Sequence, residues 1–221
     1  MHADFESRLR AAVKPHDLLC HPFYQAWSMG TLTREDLAHY AAQYQHQVDA
    51  LPRLLQAARA QTHDAETVAA LDRNLSEELG QVGPAHAKLW ADFSREMGVS
   101  TAEAAGAETR ESHASLESLV NAGEVDALAA LWTYEMQTAH VAKTKHEGLV
   151  ERYGVTNPAA LAFFKLHEQL DVHHASDLLN ALSRACHGDA ALEARACEAA
   201  SRSAQAQWRF LDGAERVRLA A

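Results

Sequence analysis

Between Phe163 and Leu179 the sequence runs Phe-Phe-Lys-Leu-His-Glu-Gln-Leu-Asp-Val-His-His-Ala-Ser-Asp-Leu-Leu, an apolar segment that nevertheless carries His167, Asp171, His173, His174 and Asp177. On a helix of about 100° per residue, His167, Asp171 and His174 sit at roughly 0°, 40° and −20°, on one face, while His173 falls at roughly −120°. Imidazole and carboxylate sharing a face are the side chains that hold first-row metals. Two more segments bring the same chemistry into apolar surroundings: Glu77 and His86 flank the Gly83-Pro84 break, and Glu135 sits in Leu-Trp-Thr-Tyr-Glu-Met-Gln. Three carboxylates and three imidazoles suit two neighbouring metals, because carboxylates can bridge the pair and balance its charge. An ionised Glu135 inside a helical bundle would be costly to bury, and a metal offsets that cost. Glu78 flanks the same turn as Glu77, and either can face inward.

Other metal and nucleotide signatures are missing. No Glu-x-x-His occurs, so the ferritin-like di-iron pattern does not fit. His167-Glu-Gln-Leu-Asp171 has Asp where a zinc-protease motif needs its second His, and no Gly-rich phosphate loop is present. A second group of residues gathers near the start of the chain: Tyr24 and Trp27, then Tyr40 and Tyr44. Such residues fill cores with their polar tips paired. Beside an oxidising metal pair, a phenol can instead lose an electron and a proton and so serve as substrate or relay.

The elements that must position these groups read as helices. Ala, Leu, Glu and Gln dominate, and no alternating Val/Ile/Thr-rich stretch marks a strand. Thr33-Arg-Glu-Asp36 forms a variant capping box opening a helix toward Gln61, with Pro52 inside it. Asn157-Pro158 opens a helix closed by Gly188, and Gly123 and Gly154 bracket another. Further helices are expected near Pro15–Met29, Asp64–Glu78, Pro84–Met97, Thr109–Val120 and Asp189–Leu211. With 221 residues, 48% of them hydrophobic, and no linker or repeat, the chain is expected to form one all-α domain over residues 1–221.

Charge and cysteine usage narrow the function classes. A net charge of −10 opposes a phosphate-binding surface, so nucleic acid is not an expected partner. The three cysteines lack Cys-x-x-Cys spacing, which indicates neither a disulfide framework nor a thiolate zinc site. With no apolar signal core and no run of about 18 apolar residues, a cytoplasmic location and no membrane association are expected.

Taken together, the landmarks His21-Pro-Phe-Tyr24-Gln-Ala-Trp27-Ser-Met-Gly30, Leu71-Asp-Arg-Asn-Leu-Ser-Glu77-Glu78, His86-Ala-Lys-Leu-Trp90, Tyr134-Glu135-Met-Gln, Lys145-His-Glu-Gly-Leu and His167-Glu-x-x-Asp171-x-x-His174 make the chain resemble the CADD-like group of the TenA, PqqC and haem-oxygenase-like superfamily, from Leu18 to about Leu182. The resemblance implies a haem-oxygenase-like helix bundle that is commonly a homodimer. It implies metal ligands Glu77, His86, Glu135, His167, Asp171 and His174 and a pair of first-row metals, Fe/Fe or Mn/Fe. Dioxygen and a reductant would be co-reactants. The implied activity is synthesis of para-aminobenzoate for folate biosynthesis from the protein's own tyrosine. Tyr24 stands at that tyrosine's position, Lys145 at that of the nitrogen donor, and Tyr134 is a further candidate catalytic phenol. The segment between Glu77 and His86 is about two residues longer than the family pattern, which leaves Glu77 and Glu78 both open.

Helix geometry sets Lys145 about 15 Å along the axis from Glu135 and roughly 80° off its face. On that reading it could equally be a solvated helix-end cation favoured by the macrodipole. Two other activities compete: a dimetal oxidase of a free amino or fatty acid, which would not need Tyr24, and a metal-free TenA-like thiamine-fragment hydrolase, for which Cys20 is the nearest nucleophile.

Overall fold

Helix ends follow the capping chemistry of the sequence. The computed structural model describes residues 2–220, and among them regular structure is entirely helical, with no strand. Helix α1 spans His2–Val13, and two short 3-10 turns, Lys14–His16 and Leu18–Cys20, lead into α2, Pro22–Met29. Helices α3 (Arg34–Arg59), α4 (Ala65–Glu78), α5 (His86–Met97), α6 (Ala107–Val120), α7 (Glu124–Glu151), α8 (Pro158–Cys186) and α9 (Ala190–Ala220) complete the chain. Thr33 and Asp36 form the reciprocal capping box expected before α3. Asn157 caps α8 through Ala159 N–H, with Pro158 at the first helical position, and Asp64 caps α4 through Thr67 N–H.

Three expectations about the elements are corrected. The continuous helix expected over Pro15–Met29 is split, because a residue before proline is driven out of the helical region: His21 is extended at φ −68° and ψ 136°, and its ring accepts from Phe23 N–H as the cap of α2. Helix α1 precedes the first of the expected helices. Helix α9 runs on past Leu211 to Ala220, burying Ala214 beyond the expected end.

The core has two parts. One gathers Leu9, Leu55, Leu119, Leu128, Trp132 and Leu182. The other, rich in aromatics, gathers Phe23, Trp27, Tyr40, Trp90, Phe93 and Phe164. Helices α7 and α8 lie against each other along much of their length, and α9 packs on α7 and α6. Helix α2 approaches α7 closely at Gly148, where an added Cβ would lie 2.9 Å from Trp27 Cδ1. That approach lets Trp27 Nε1 donate to the Lys145 carbonyl at 3.3 Å, so α2 carries Tyr24 onto the face of α7 that holds Lys145. No helix among the described residues is long and apolar enough to cross a membrane.

Candidate metal centre

Helices α4, α5, α7 and α8 converge on six buried metal-capable side chains. Glu78, His86 and His167 form one group, Glu135, Asp171 and His174 the other, and within each group one ligand atom per residue lies within 4.8 Å of the others. All six are buried, whereas His173 is exposed. The face shared by His167, Asp171 and His174 thus meets carboxylates from α4 and α7, with His167 facing one group and the other two completing the second.

Glu77 belongs to neither group. Its carboxylate instead accepts from His174 Nε2 at 2.6 Å, from a position where its side chain is 25% exposed. Glu78 faces inward, 2.7 Å from His86 Nδ1. The structure thus brings Glu78, not the expected Glu77, together with His86 and His167. The physical reason is helical phase: Leu71, Asn74 and Glu78 form the buried stripe of α4, at spacings of three and four, and Glu77 is turned by about 100° from it. That stripe was the available signal, and it outweighs motif alignment across a turn of altered length.

The donor set fits metal ions. Asp171 Oδ2 and His174 Nδ1 are buried without a hydrogen-bond partner among the described residues. His174 Nδ1 is 3.7 Å from Glu135 Oε2, beyond hydrogen-bonding range. The far nitrogens of two histidines are engaged as metal-bound imidazoles usually are: His167 Nδ1 donates to the Phe163 carbonyl at 2.7 Å, and His174 Nε2 meets Glu77. Asn74 Nδ2 donates to Glu135 Oε1 at 2.8 Å and orients that carboxylate.

The electrostatics of the nest also call for a cation. Burial, then the charges of Glu135 and Glu78, push the Asp171 carboxyl well above its ordinary range. Burial, reinforced by His86, lowers His167 to about 3, leaving a neutral imidazole. Burial acts against protonation of His174, but Glu135 and then Glu77 together raise it to about 9. Three carboxylates in one low-dielectric space repel one another, and positive charge among them relieves the repulsion.

A row of phenols leads away from this nest. A small cavity bounded by Glu78, Glu135, His167 and Asp171 is also lined by Tyr44 and Tyr134. These two hydroxyls are 3.4 Å apart, Tyr44 stacks on Tyr40 at 5.5 Å between centroids, and Tyr40 Oη lies 3.0 Å from Tyr24 Oη. Lys145 is 4% exposed, and its ammonium nitrogen lies 4.5 Å from the Tyr24 ring centroid and 4.6 Å from that of Tyr40, to whose hydroxyl it donates. The solvated helix-end reading of Lys145 is overturned: α2 and α3 wrap its side chain in aromatic rings. Burial pulls its ammonium pKa well below the usual lysine range and raises those of Tyr24, Tyr40 and Tyr134 well above the usual tyrosine range. Cys20, in contrast, is exposed and lines neither the metal nest nor the tyrosine cavity.

Comparison with known proteins gives a consistent picture. Residues 38–208 match the family described as iron-containing redox enzymes. The 4-aminobenzoate synthase of Chlamydia muridarum is 37% identical over 190 residues, 82% of this chain and 80% of that protein. That of Nitrosomonas europaea is 32% identical over 224 residues, 95% of this chain and 90% of its own. A domain of unknown function with a haem-oxygenase-like fold from Shewanella denitrificans superposes with a TM-score of 0.77 at 16% identity, covering 97% of this chain and 92% of that one.

Proposed function

Because the chain belongs to the iron-containing redox enzyme family, with its metal cofactor and haem-oxygenase-like helical fold, we propose that it is a dimetal oxygenase making 4-aminobenzoate from its own Tyr24. The proposed ligands are Glu78, His86 and His167 for one ion and Glu135, Asp171 and His174 for the other, iron–iron or manganese–iron. Dioxygen and a reductant are its co-reactants. When bound, a redox-active pair supplies dioxygen activation, which organic side chains cannot provide.

The chemistry asked of Tyr24 emerges from comparing the structures of reactant and product. A tyrosine ring bears Cβ and an oxygen at para positions, and 4-aminobenzoate bears a carboxyl carbon and a nitrogen at the same positions. Release therefore requires breaking the Cα–Cβ bond, oxidising Cβ to a carboxylate and exchanging the phenol oxygen for nitrogen. Lys145 would supply that nitrogen, its Cε–Nζ bond breaking in the transfer: the nitrogen lies 4.5 Å from the ring centroid, and burial lowers its pKa well below the usual lysine range, which favours the nucleophilic free amine. Tyr40 holds both partners, one hydroxyl meeting the Lys145 amine and the Tyr24 phenol. Tyr44 and Tyr134 span from this pair to the carboxylate nest, a path by which phenols can hand on an electron and a proton. Phe23 and Tyr40 pack against the Tyr24 ring, and Phe23, Trp27 and Phe210 surround Tyr40, so both phenols are buried away from water.

The observation that carries this reading is the enclosure of the buried Lys145 amine against the ring of Tyr24, one phenol row away from six metal-capable ligands. Protein grown with ring-labelled tyrosine and then given metals, reductant, dioxygen and only unlabelled small molecules tests it. Label in 4-aminobenzoate is the expected result, and unlabelled product would transfer the reaction to an external substrate.

A further inference from the structure

The tyrosine cavity lined by Leu18, Tyr24, Tyr44, Tyr134 and Val141 has a volume of about 20 Å³, no more than room for a water. An aromatic ring freed from Tyr24 must leave it. Immediately outside lies a surface cleft of about 430 Å³, within the range that holds small organic ligands. The partition between them is thin. Val141 lines both spaces, Leu18 lines the inner one and its neighbour Leu19 the outer, and Leu18 N–H donates to Gln137 Oε1 at 2.9 Å.

The cleft has the composition of a site for an aromatic anion. Val13, Met136 and Val141 offer an apolar wall, and Arg10 and Lys14 bring positive charge. Asp17 is its acidic member, with one oxygen, Oδ1, accepting from Leu19 N–H at 3.1 Å, while Arg10 also pairs with Glu6 at the surface. Gln137 supplies the decisive feature. It is 5% exposed, and its Nε2 is buried with no hydrogen-bond partner among the described residues. The amide orientation is fixed, because the Leu18 N–H can only donate and so requires the oxygen on its side. A buried donor left without a partner is costly, and a carboxylate arriving in the cleft would satisfy it.

We propose that this cleft is an aromatic-carboxylate binding site, where Gln137 and Lys14 receive 4-aminobenzoate as it passes the Leu18–Val141 partition on its way out of the tyrosine cavity. The identity of the ligand rests on the function proposed above; the site itself rests on the cleft. Recognition of the carboxylate rather than the amine comes from the donors and cations that line it.

Equilibrium titration of the full-length, metal-loaded protein with 4-aminobenzoate tests the site. Saturable binding is expected, at least tenfold weaker for aniline, which lacks the carboxylate. Lys14→Glu and Gln137→Leu should each weaken it at least tenfold, and Ala11→Trp, which fills the cleft from an exposed position, should abolish it. Lys14 is exposed, so its variant reports on binding even where Gln137→Leu compromises the fold. Unchanged affinity in Lys14→Glu and Ala11→Trp, or equal affinity for aniline, would overturn the proposal. In a single turnover, Ala11→Trp should yield as much 4-aminobenzoate as the parent after denaturation but release it at least tenfold more slowly from the native protein; release at the parental rate would rule out the exit role. Protein that binds 4-aminobenzoate here yet makes none would refute the proposed function and support the site, and protein that makes it without binding it here would do the reverse.

Discussion

The carboxylate of Glu78 lies 2.7 Å from His86 Nδ1, joining the last turn of α4 to the first residue of α5 across the Gly-Pro break. Its neighbour Glu77 reaches instead to the outer nitrogen of His174. The two glutamates should therefore fail differently. Glu78→Ala is expected to lose the metal held with His86 and His167. Glu77→Ala should keep both metals at saturation but bind them roughly 10- to 100-fold more weakly, the usual cost of removing a partner that orients a metal-bound histidine. Metal titrations of the two variants decide it, and the opposite pattern would restore Glu77 as ligand.

His167→Ala, Asp171→Ala and His174→Ala should each release at least one metal, and His173→Ala should release none. The first three are buried on the inward face of α8, while His173 is exposed. Metal content per chain after gel filtration provides the check, and loss in His173→Ala with retention in His174→Ala would move the centre off this face.

Much of this arrangement was legible in the sequence because it depends on phase within one helix or on caps at its ends. The His167, Asp171 and His174 face needed only the angular repeat of α8, and Thr33 with Asp36, or Asn157 with Pro158, announce helix starts through chemistry local to them. The features that escaped depend on neighbours. Glu77 and Glu78 differ by one residue, and the choice between them is made by the stripe that α4 buries. Lys145 looks peripheral on the wheel of α7 because the wheel omits α2, which Gly148 admits close enough for Trp27 and Tyr24 to cover the lysine. The single helix expected from Pro15 divides because His21, before Pro22, breaks it and caps α2.

Tyr24→Phe should fold and load metals but form no 4-aminobenzoate. It removes only the phenol oxygen and with it the bond to Tyr40, a loss worth about 1 kcal/mol. A purely structural Tyr24 would give that same small destabilisation with product formation intact. Thermal denaturation and product analysis on one preparation separate the two, and full product from the variant would end the role of Tyr24 as substrate.

Lys145→Met should be more stable than the parent near pH 7, with the advantage shrinking as pH rises. Burial lowers the folded pKa of Lys145 well below its ordinary 10.5, so the unfolded chain binds more protons throughout the interval between the two. Parental stability therefore gains from this group as pH climbs through that interval toward 10.5, by at most about 1.4 kcal/mol per pH unit. Denaturant unfolding of both proteins at pH 7 and pH 9.5 measures the difference. A gap that is constant or widens with pH would mean that Lys145 is not held neutral by burial, and the amine would lose its claim as nitrogen donor.

If Tyr24 is consumed, each chain is limited to one turnover, which separates the proposed reaction from that of an ordinary oxidase. Metal-loaded protein given excess reductant and dioxygen should yield at most one 4-aminobenzoate per chain, whatever small molecules are added. The scar should be visible: the peptide from Cys20 to Trp27 should lose the mass of the departed ring, and a change near Lys145 should accompany it if that amine is transferred. Both changes should rise in step with product and stop with it. A conventional oxidase turns over typically about 10 times per second, so its product would climb far beyond one equivalent while both peptides kept their mass. Lys145→Arg sharpens the comparison, because it keeps a hydrogen-bond donor beside Tyr40 but removes the transferable primary amine. If Lys145 is the donor, that variant should make no 4-aminobenzoate even with its metals in place. Many turnovers with an intact Tyr24 peptide would leave the six-ligand nest standing and assign it to a free aromatic or aliphatic acid.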